Sequence, residues 1–181
     1  DHPPRNEEEL LNREMWKMLL VHAFLMGIGL FFALQLTLWG AVPLNEWNLN
    51  PELSYVVPSA TEEELVAQKA RTMFITTIYI LETLFIWSFR RPNKSVFKSF
   101  KEEFSPQLFI ICMFTLSLHI LHICFSAAVN YAVNITLGLN FQINFMFLSA
   151  TDWLICVLLA LPGLLGIELY KYYARQKNIL F

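Results

Sequence analysis

The run ARTMFITTIYILETLFIWSF, residues 70–89, has the length and the apolar character of a membrane-spanning helix, because ~20 apolar residues cross a hydrocarbon core of ~30 Å. Glu82 lies near its middle. A carboxylate at that depth costs at least ~2.5 kcal/mol on insertion scales. A cation, a proton or a buried partner has to offset this cost. The first hypothesis is therefore that Glu82 binds a cation inside the membrane.

The composition excludes an ordinary soluble domain. Hydrophobic residues make up 56% of the 181 residues and charged residues 15%, whereas charged residues are about a quarter of a typical soluble domain. The one basic cluster lies beside the predicted membrane spans, so we expect the lipid bilayer as a partner and no nucleic acid. The cysteines lack disulfide or metal-site spacing and are interpreted as free packing residues: Cys112, Cys124 and Cys156.

Four apolar runs are long enough to cross a bilayer. They predict an all-α membrane protein, a four-transmembrane-helix bundle that forms one domain over residues 1–181. Tryptophan and tyrosine residues mark several ends of these runs, where amphipathic rings prefer the membrane interface. The predicted spans are residues 16–39, 70–89, 108–129 and 153–173.

The loops predict that both termini are cytoplasmic. The loop over residues 90–101 carries five lysines and arginines. The loop over residues 40–68 is acidic, and the loop over residues 130–147 has no lysine or arginine. Basic loops favour the cytoplasmic side. The outer side would then carry the Asn134-Ile135-Thr136 glycosylation sequon and a capping box, Thr61 to Glu64, that opens the helix leading into the second span.

Glu82 is the strongest candidate for chemistry, as a metal ligand or a proton-binding group. The structural alternative is a protonated Glu82 that is hydrogen-bonded to a neighbouring helix. Tyr79 lies three residues before it on the same helical face and could hydrogen-bond the carboxylate. A hard cation takes about six or more oxygen ligands. One central carboxylate therefore leaves the rest of a site to groups outside this chain.

The membrane-embedded histidines are weaker candidates. His119 and His122 share a helical face and could bind a transition metal, but no cysteine or carboxylate is placed to complete a four-coordinate site. Packing or an interhelical hydrogen bond is the favoured interpretation for both residues. His22 in the first span is similar and has no second histidine near it in sequence.

The remaining unusual residues indicate packing. Gly27 and Gly29 would allow a close helix approach in the first span, and Pro162 would kink the fourth span. Glu168 and Lys171 have the spacing of an interfacial ion pair. The chain carries no phosphate-binding loop and no nucleophile motif, so we expect neither catalytic residues nor a cofactor in it.

Four stretches, taken in order, extend over essentially the whole chain. They are His2-Pro3-Pro4-Arg5-Asn6; Ala70-Arg71-Thr72-Met73, followed by Glu82 and Asn93-Lys94-Ser95-Val96-Phe97; Ser117-Leu118-His119; and Thr151-Asp152-Trp153-Leu154, followed by Leu161-Pro162, Glu168, Lys171, Ala174 and Arg175. Together these stretches resemble the C-terminal region of type II P-type cation-transporting ATPases.

The resemblance implies that the four spans are the seventh to tenth of such a pump. In the calcium-pump branch, a Glu at the same offset from the Arg-Thr-Met start is a cation ligand in the eighth span, and Glu82 falls on that position. Sodium/potassium pumps and plasma-membrane calcium pumps would carry Gln there. The chain differs from the reticulum calcium pumps in the residues directly after Glu82, and its outer loop lacks the cysteine pair of the animal reticulum pump.

The resemblance also implies partners and a mechanism for the parent protein. The partners would be the remaining transmembrane helices and the cytoplasmic domains, which use Mg-ATP to drive transport of a cation, Ca2+ in this branch. The parent protein would be an ATP-hydrolysing cation translocase. The alternative is a free-standing four-span scaffold or regulatory subunit without a transport ligand, and the sequence upstream of Asp1 would distinguish the two.

Overall fold

The computed structural model describes residues 13–50, 54, 60–102, 104–126, 128, 135–136 and 145–177. In these ranges the chain is helical and has no β-strand. Every helix except the short α3 is long and apolar enough to cross a membrane, which confirms the predicted fold class. The helices are α1 (Arg13–Leu38), α2 (Glu62–Phe89), α3 (Val96–Glu102), α4 (Pro106–Cys124) and α5 (Ala150–Gln176).

Helices α1, α2, α4 and α5 coincide with the four predicted spans and differ from them at their ends. Helix α2 begins well before residue 70 because the predicted capping box is present: Thr61 Oγ1 accepts from the Glu64 amide, and Glu64 Oε2 accepts from the Thr61 amide at 2.8 Å. Helix α4 ends at Cys124, and residue 129, where the predicted span ends, lies outside the described residues. Beyond Cys124 the buried Ser126 hydroxyl donates to the Phe145 carbonyl at 3.0 Å, which ties the chain to the segment before α5.

Helices α1, α2 and α5 pack against one another, and α4 lies at the periphery against α2. Large apolar side chains on the outer faces of α1 and α4 stay exposed, among them Phe24 and Phe114. Such faces suit lipid, which solvates apolar side chains as well as a protein core does. The buried positions between the helices are mostly small or polar, as in other membrane bundles.

A small residue sets the closest approach between α1 and α5. An ideal Cβ on Gly29 would collide with the Leu159 carbonyl, so the prediction of close packing at Gly29 is confirmed. The same prediction for Gly27 was wrong, because a Cβ there would meet open space among the described residues. Helix α5 continues through Pro162 to Gln176.

Two further predictions remain predictions. The cytoplasmic location of both termini follows from the loop charges alone. The sequon residue Asn134 lies outside the described residues, whereas the capping box at the start of α2 lies within them. The side on which α2 and α5 begin is called the predicted outer side below.

Candidate functional site

Glu82 points away from the three-helix core. Its neighbour Leu81 is buried, whereas Glu82 and Ile86, one turn further on, are exposed. Among the residues that the structure describes, no side chain hydrogen-bonds or pairs with the Glu82 carboxylate. The carboxylate thus lies within a membrane-spanning helix, on a face that the other described helices leave open.

Tyr79 contacts a histidine instead of Glu82. Its ring stacks on His119 with centroids 4.1 Å apart. His119 Nε2 lies 3.0 Å from Thr76 Oγ1. Thr76 already donates its hydroxyl hydrogen to the Thr72 carbonyl at 2.8 Å, so the Thr76 oxygen accepts from His119 Nε2–H. The predicted interhelical hydrogen bond of His119 is confirmed, and it occupies the nitrogen that faces α2.

The other histidines pack against aromatic rings. His122 meets Phe145 edge-on at 4.8 Å, and its Nε2 is buried without a partner. His22 stacks on Phe85 at 4.4 Å. The described residues contain no group of three or more histidines, cysteines and carboxylates that could hold a metal ion. A cation site at Glu82 that is built from several carboxylates therefore needs ligands from beyond the described residues.

A buried ion pair joins α2 to α5 at the predicted outer side. Lys69 is 0% exposed, and its Nζ lies 2.9 Å from Asp152 Oδ1. The same Nζ donates to Asn48 Oδ1 at 2.9 Å and to the Pro43 carbonyl at 2.6 Å. Asp152 in turn accepts from the Ser149 amide at 2.9 Å, which completes the cap of α5. We call this network the Lys69 clamp.

A second buried lysine joins the same two helices at their other ends. Lys171 is 0% exposed and lies 2.8 Å from Glu168 Oε1, so the predicted ion pair is confirmed but is buried on the lysine side. Lys171 Nζ also donates to Ser88 Oγ at 3.0 Å and to the Lys94 carbonyl at 3.1 Å. Glu168 Oε2 accepts from the Val96 amide at 3.0 Å. We call this network the Lys171 clamp.

The two clamps fix the position of Glu82. A buried ion pair destabilises a protein unless further hydrogen bonds satisfy both charges, and both lysines have such partners. Glu82 lies between them along α2, so the helix that carries it is tied to α5 on either side. The Lys69 clamp was not predicted from the sequence. The available signal was a pair of opposite charges, Lys69 and Asp152, at the starts of two spans predicted to begin on the same side.

Comparison with known protein families adds to this geometry. A family model described as "Cation transporting ATPase, C-terminus" matches residues 1–173. The chain belongs to this family. It is therefore the membrane part of a cation pump and a multi-pass integral membrane protein. No curated protein and no solved structure is significantly similar to the chain.

Proposed function

We propose that this chain is the membrane support of an ATP-driven calcium pump and that Glu82 is one ligand of the transported ion. The observation that carries the proposal is the exposed Glu82 carboxylate, which lies within a membrane span and has no partner among the described residues. By resemblance to the P-type family, further spans of the parent pump would cover that face. The Arg71-Thr72-Met73 start of the span, with Glu82 at the calcium-pump offset, supports calcium as the ion.

The chemistry of calcium fits a divided site. Ca2+ takes 6–8 oxygen ligands at about 2.3–2.6 Å, and one carboxylate supplies at most two of them. Glu82 would supply negative charge and one or two carboxylate oxygens at a fixed position. Helices outside this chain would supply the remaining oxygen ligands. Neutralisation by the ion would offset the cost of a carboxylate at membrane depth.

The remaining residues suit a support role. The Lys69 and Lys171 clamps tie α2 to α5, and the contact of Gly29 with Leu159 brings α1 close to α5. A rigid three-helix unit gives mobile transport helices a fixed surface to move against. By resemblance to the P-type family, aspartyl-phosphate chemistry in the cytoplasmic domains would drive alternating access and use Mg-ATP there.

A free-standing scaffold fits the observations less well. In such a protein the Glu82 face would meet lipid, and the carboxylate would carry its insertion cost of at least ~2.5 kcal/mol without compensation. The match to the cation ATPase family also favours a pump.

The ion is tested by ATP hydrolysis of the intact pump that carries this chain. We expect micromolar free Ca2+ to activate hydrolysis, whereas Na+ or K+ without Ca2+ should leave it at the basal rate. Activation by Na+ or K+ alone would overturn the calcium assignment. The role of Glu82 is tested separately, by equilibrium Ca2+ binding to the Glu82→Gln variant.

A further inference from the structure

The segment that joins α2 to α4, residues 90–105, is held close to the ends of two membrane spans. We call it the connector; the structure describes all of it except residue 103. Its aromatic residues Phe100 and Phe104 pack on Trp87 near the end of α2, at 5.1 and 5.9 Å between ring centroids. Phe104 also meets Phe109 in the first turn of α4 at 5.5 Å. These ring contacts keep the connector beside the end of α2 and the start of α4.

The Lys171 clamp fixes the connector from its other side. Lys171 Nζ donates to the Lys94 carbonyl at 3.1 Å, and Glu168 Oε2 accepts from the Val96 amide at 3.0 Å. The backbone at the start of α3 is therefore tied to α5. These two hydrogen bonds fix the orientation of α3 relative to α5.

Helix α3 presents two adjacent stripes outward. Phe97 is 80% exposed, and Phe100 follows one turn later with 47% exposure. Lys98 and Lys101 come directly after these phenylalanines and are also exposed. Successive residues are rotated by about 100° around a helix, so the lysine stripe flanks the phenylalanine stripe. The buried Ser99 marks the opposite, inward side.

The connector has a strong excess of positive charge. Its basic residues are Arg90, Arg91, Lys94, Lys98 and Lys101, against the two acidic residues Glu102 and Glu103. Glu102 lies 3.8 Å from Lys98, and both of these side chains are largely exposed. An ion pair between exposed side chains is weak, so the lysine charge remains available to an anion at the membrane surface.

We propose that the connector is a binding surface for anionic phospholipid headgroups of the bilayer that the chain spans. Phe97 lies among the lipids, and Lys98 and Lys101 extend to their phosphate and carboxylate groups. Interfacial helices combine apolar rings with flanking lysines in this way, and basic segments next to spans attract anionic lipids. The connector begins and ends at membrane spans, so lipid headgroups are beside it without any further partner.

Photo-crosslinking tests this proposal on the intact pump that carries the chain. The photoreactive amino acid p-benzoylphenylalanine replaces Phe97, whose exposure makes the replacement compatible with the fold. The protein is reconstituted into an equimolar mixture of phosphatidylcholine and phosphatidylserine and irradiated, and the adducts are weighed by mass spectrometry. We expect lipid adducts in which phosphatidylserine exceeds phosphatidylcholine by at least ~3-fold. High salt should reduce this excess.

Charge variants give the matched comparison. The double variant Lys98→Gln with Lys101→Gln should bring the adduct ratio to that of the bilayer. The control Arg175→Gln with Lys177→Gln removes the same charge from exposed positions at the end of α5 and should keep the excess. Three outcomes in the protein without charge changes would each overturn the proposal. These are lipid adducts in bilayer proportions, adducts to another part of the pump, and the absence of adducts. None of these outcomes depends on Glu82.

Discussion

Lys69 and Asp152 form an ion pair of 2.9 Å in which the side chains are 0% and 2% exposed. The pair joins α2 to the first turn of α5. Asn48 binds both members: its Oδ1 accepts from Lys69 at 2.9 Å, and its Nδ2 donates to Asp152 at 3.2 Å. The loop after α1 is thus tied to the same pair. Removing one charge would leave the other buried without compensation, which is strongly destabilising.

The variant Asp152→Asn tests the Lys69 clamp. It keeps the size of the capping side chain but leaves the Lys69 ammonium buried without its counter-charge. We expect the free energy of unfolding to fall by ~3–5 kcal/mol, measured as a lower midpoint of denaturant unfolding in detergent micelles. Adding Lys69→Met should recover part of the loss. As a control, Lys17→Gln removes the exposed cation that pairs with Glu14 and should change stability by less than ~1 kcal/mol. If Asp152→Asn and Lys17→Gln lowered the free energy of unfolding equally, burial would not be the reason that the Lys69–Asp152 pair stabilises the bundle.

Lys171→Met tests the second clamp. The variant would leave Glu168 without its cation and the Ser88 and Lys94 carbonyls without their shared donor. We expect the connector to open more often, so that limited trypsin digestion at Lys98 and Lys101 becomes faster. The control Arg175→Gln, at an exposed position on the same helix, should leave the cleavage rate unchanged. Equal cleavage rates in Lys171→Met and the unmodified chain would show that the connector is held by other contacts.

A matched pair of glycines tests the packing of α1. Gly29→Ala would place a methyl group against the Leu159 carbonyl, whereas Gly27→Ala meets open space. Alanine favours a helix interior by up to ~1 kcal/mol over glycine. In the 181-residue chain, Gly27→Ala should therefore be neutral or stabilising in thermal unfolding, and Gly29→Ala destabilising. The reverse order would show that α1 packs with a different face toward α5.

The predicted topology can be tested by thiol labelling. Lys98 and Glu46 are exposed residues in loops that the charge pattern assigns to opposite sides. With the native cysteines replaced, Lys98→Cys should resist a membrane-impermeant thiol reagent in intact cells that express the pump at their surface, and Glu46→Cys should react. Labelling at Lys98 with protection at Glu46 would reverse the orientation and contradict the charge rule for this chain.

The spans could be predicted because each depends on a local property. Apolar length identified α1, α2, α4 and α5, and the Thr61–Glu64 capping box indicated that a helix begins before Ala70. The end of α4 could not be predicted in this way. Beyond Cys124 the Ser126 hydroxyl donates to the Phe145 carbonyl, nineteen positions further along the chain, and hydropathy does not predict such a contact.

The candidate site could likewise be predicted only where it depends on a local property of the sequence. Glu82 was identified because a carboxylate in an apolar run is unusual in any fold. Its outward orientation depends on which face of α2 packs against α1 and α5, and hydropathy does not specify that face when the span is apolar all round. The contact of Tyr79 with His119, and the partners of Lys69, likewise depend on which helices are neighbours.

Equilibrium Ca2+ binding to the intact pump decides whether Glu82 is a ligand of the transported ion. Glu82→Gln keeps the size of the side chain and removes its charge, so we expect the Ca2+ affinity to fall tenfold or more, about 1.4 kcal/mol. Glu63→Gln, the same change at an exposed position in the first turn of α2, should leave the affinity unchanged. Phosphorylation from inorganic phosphate should persist in both variants, which shows that they are folded. An unchanged Ca2+ affinity and stoichiometry in Glu82→Gln would contradict the claim and reduce Glu82 to a structural residue.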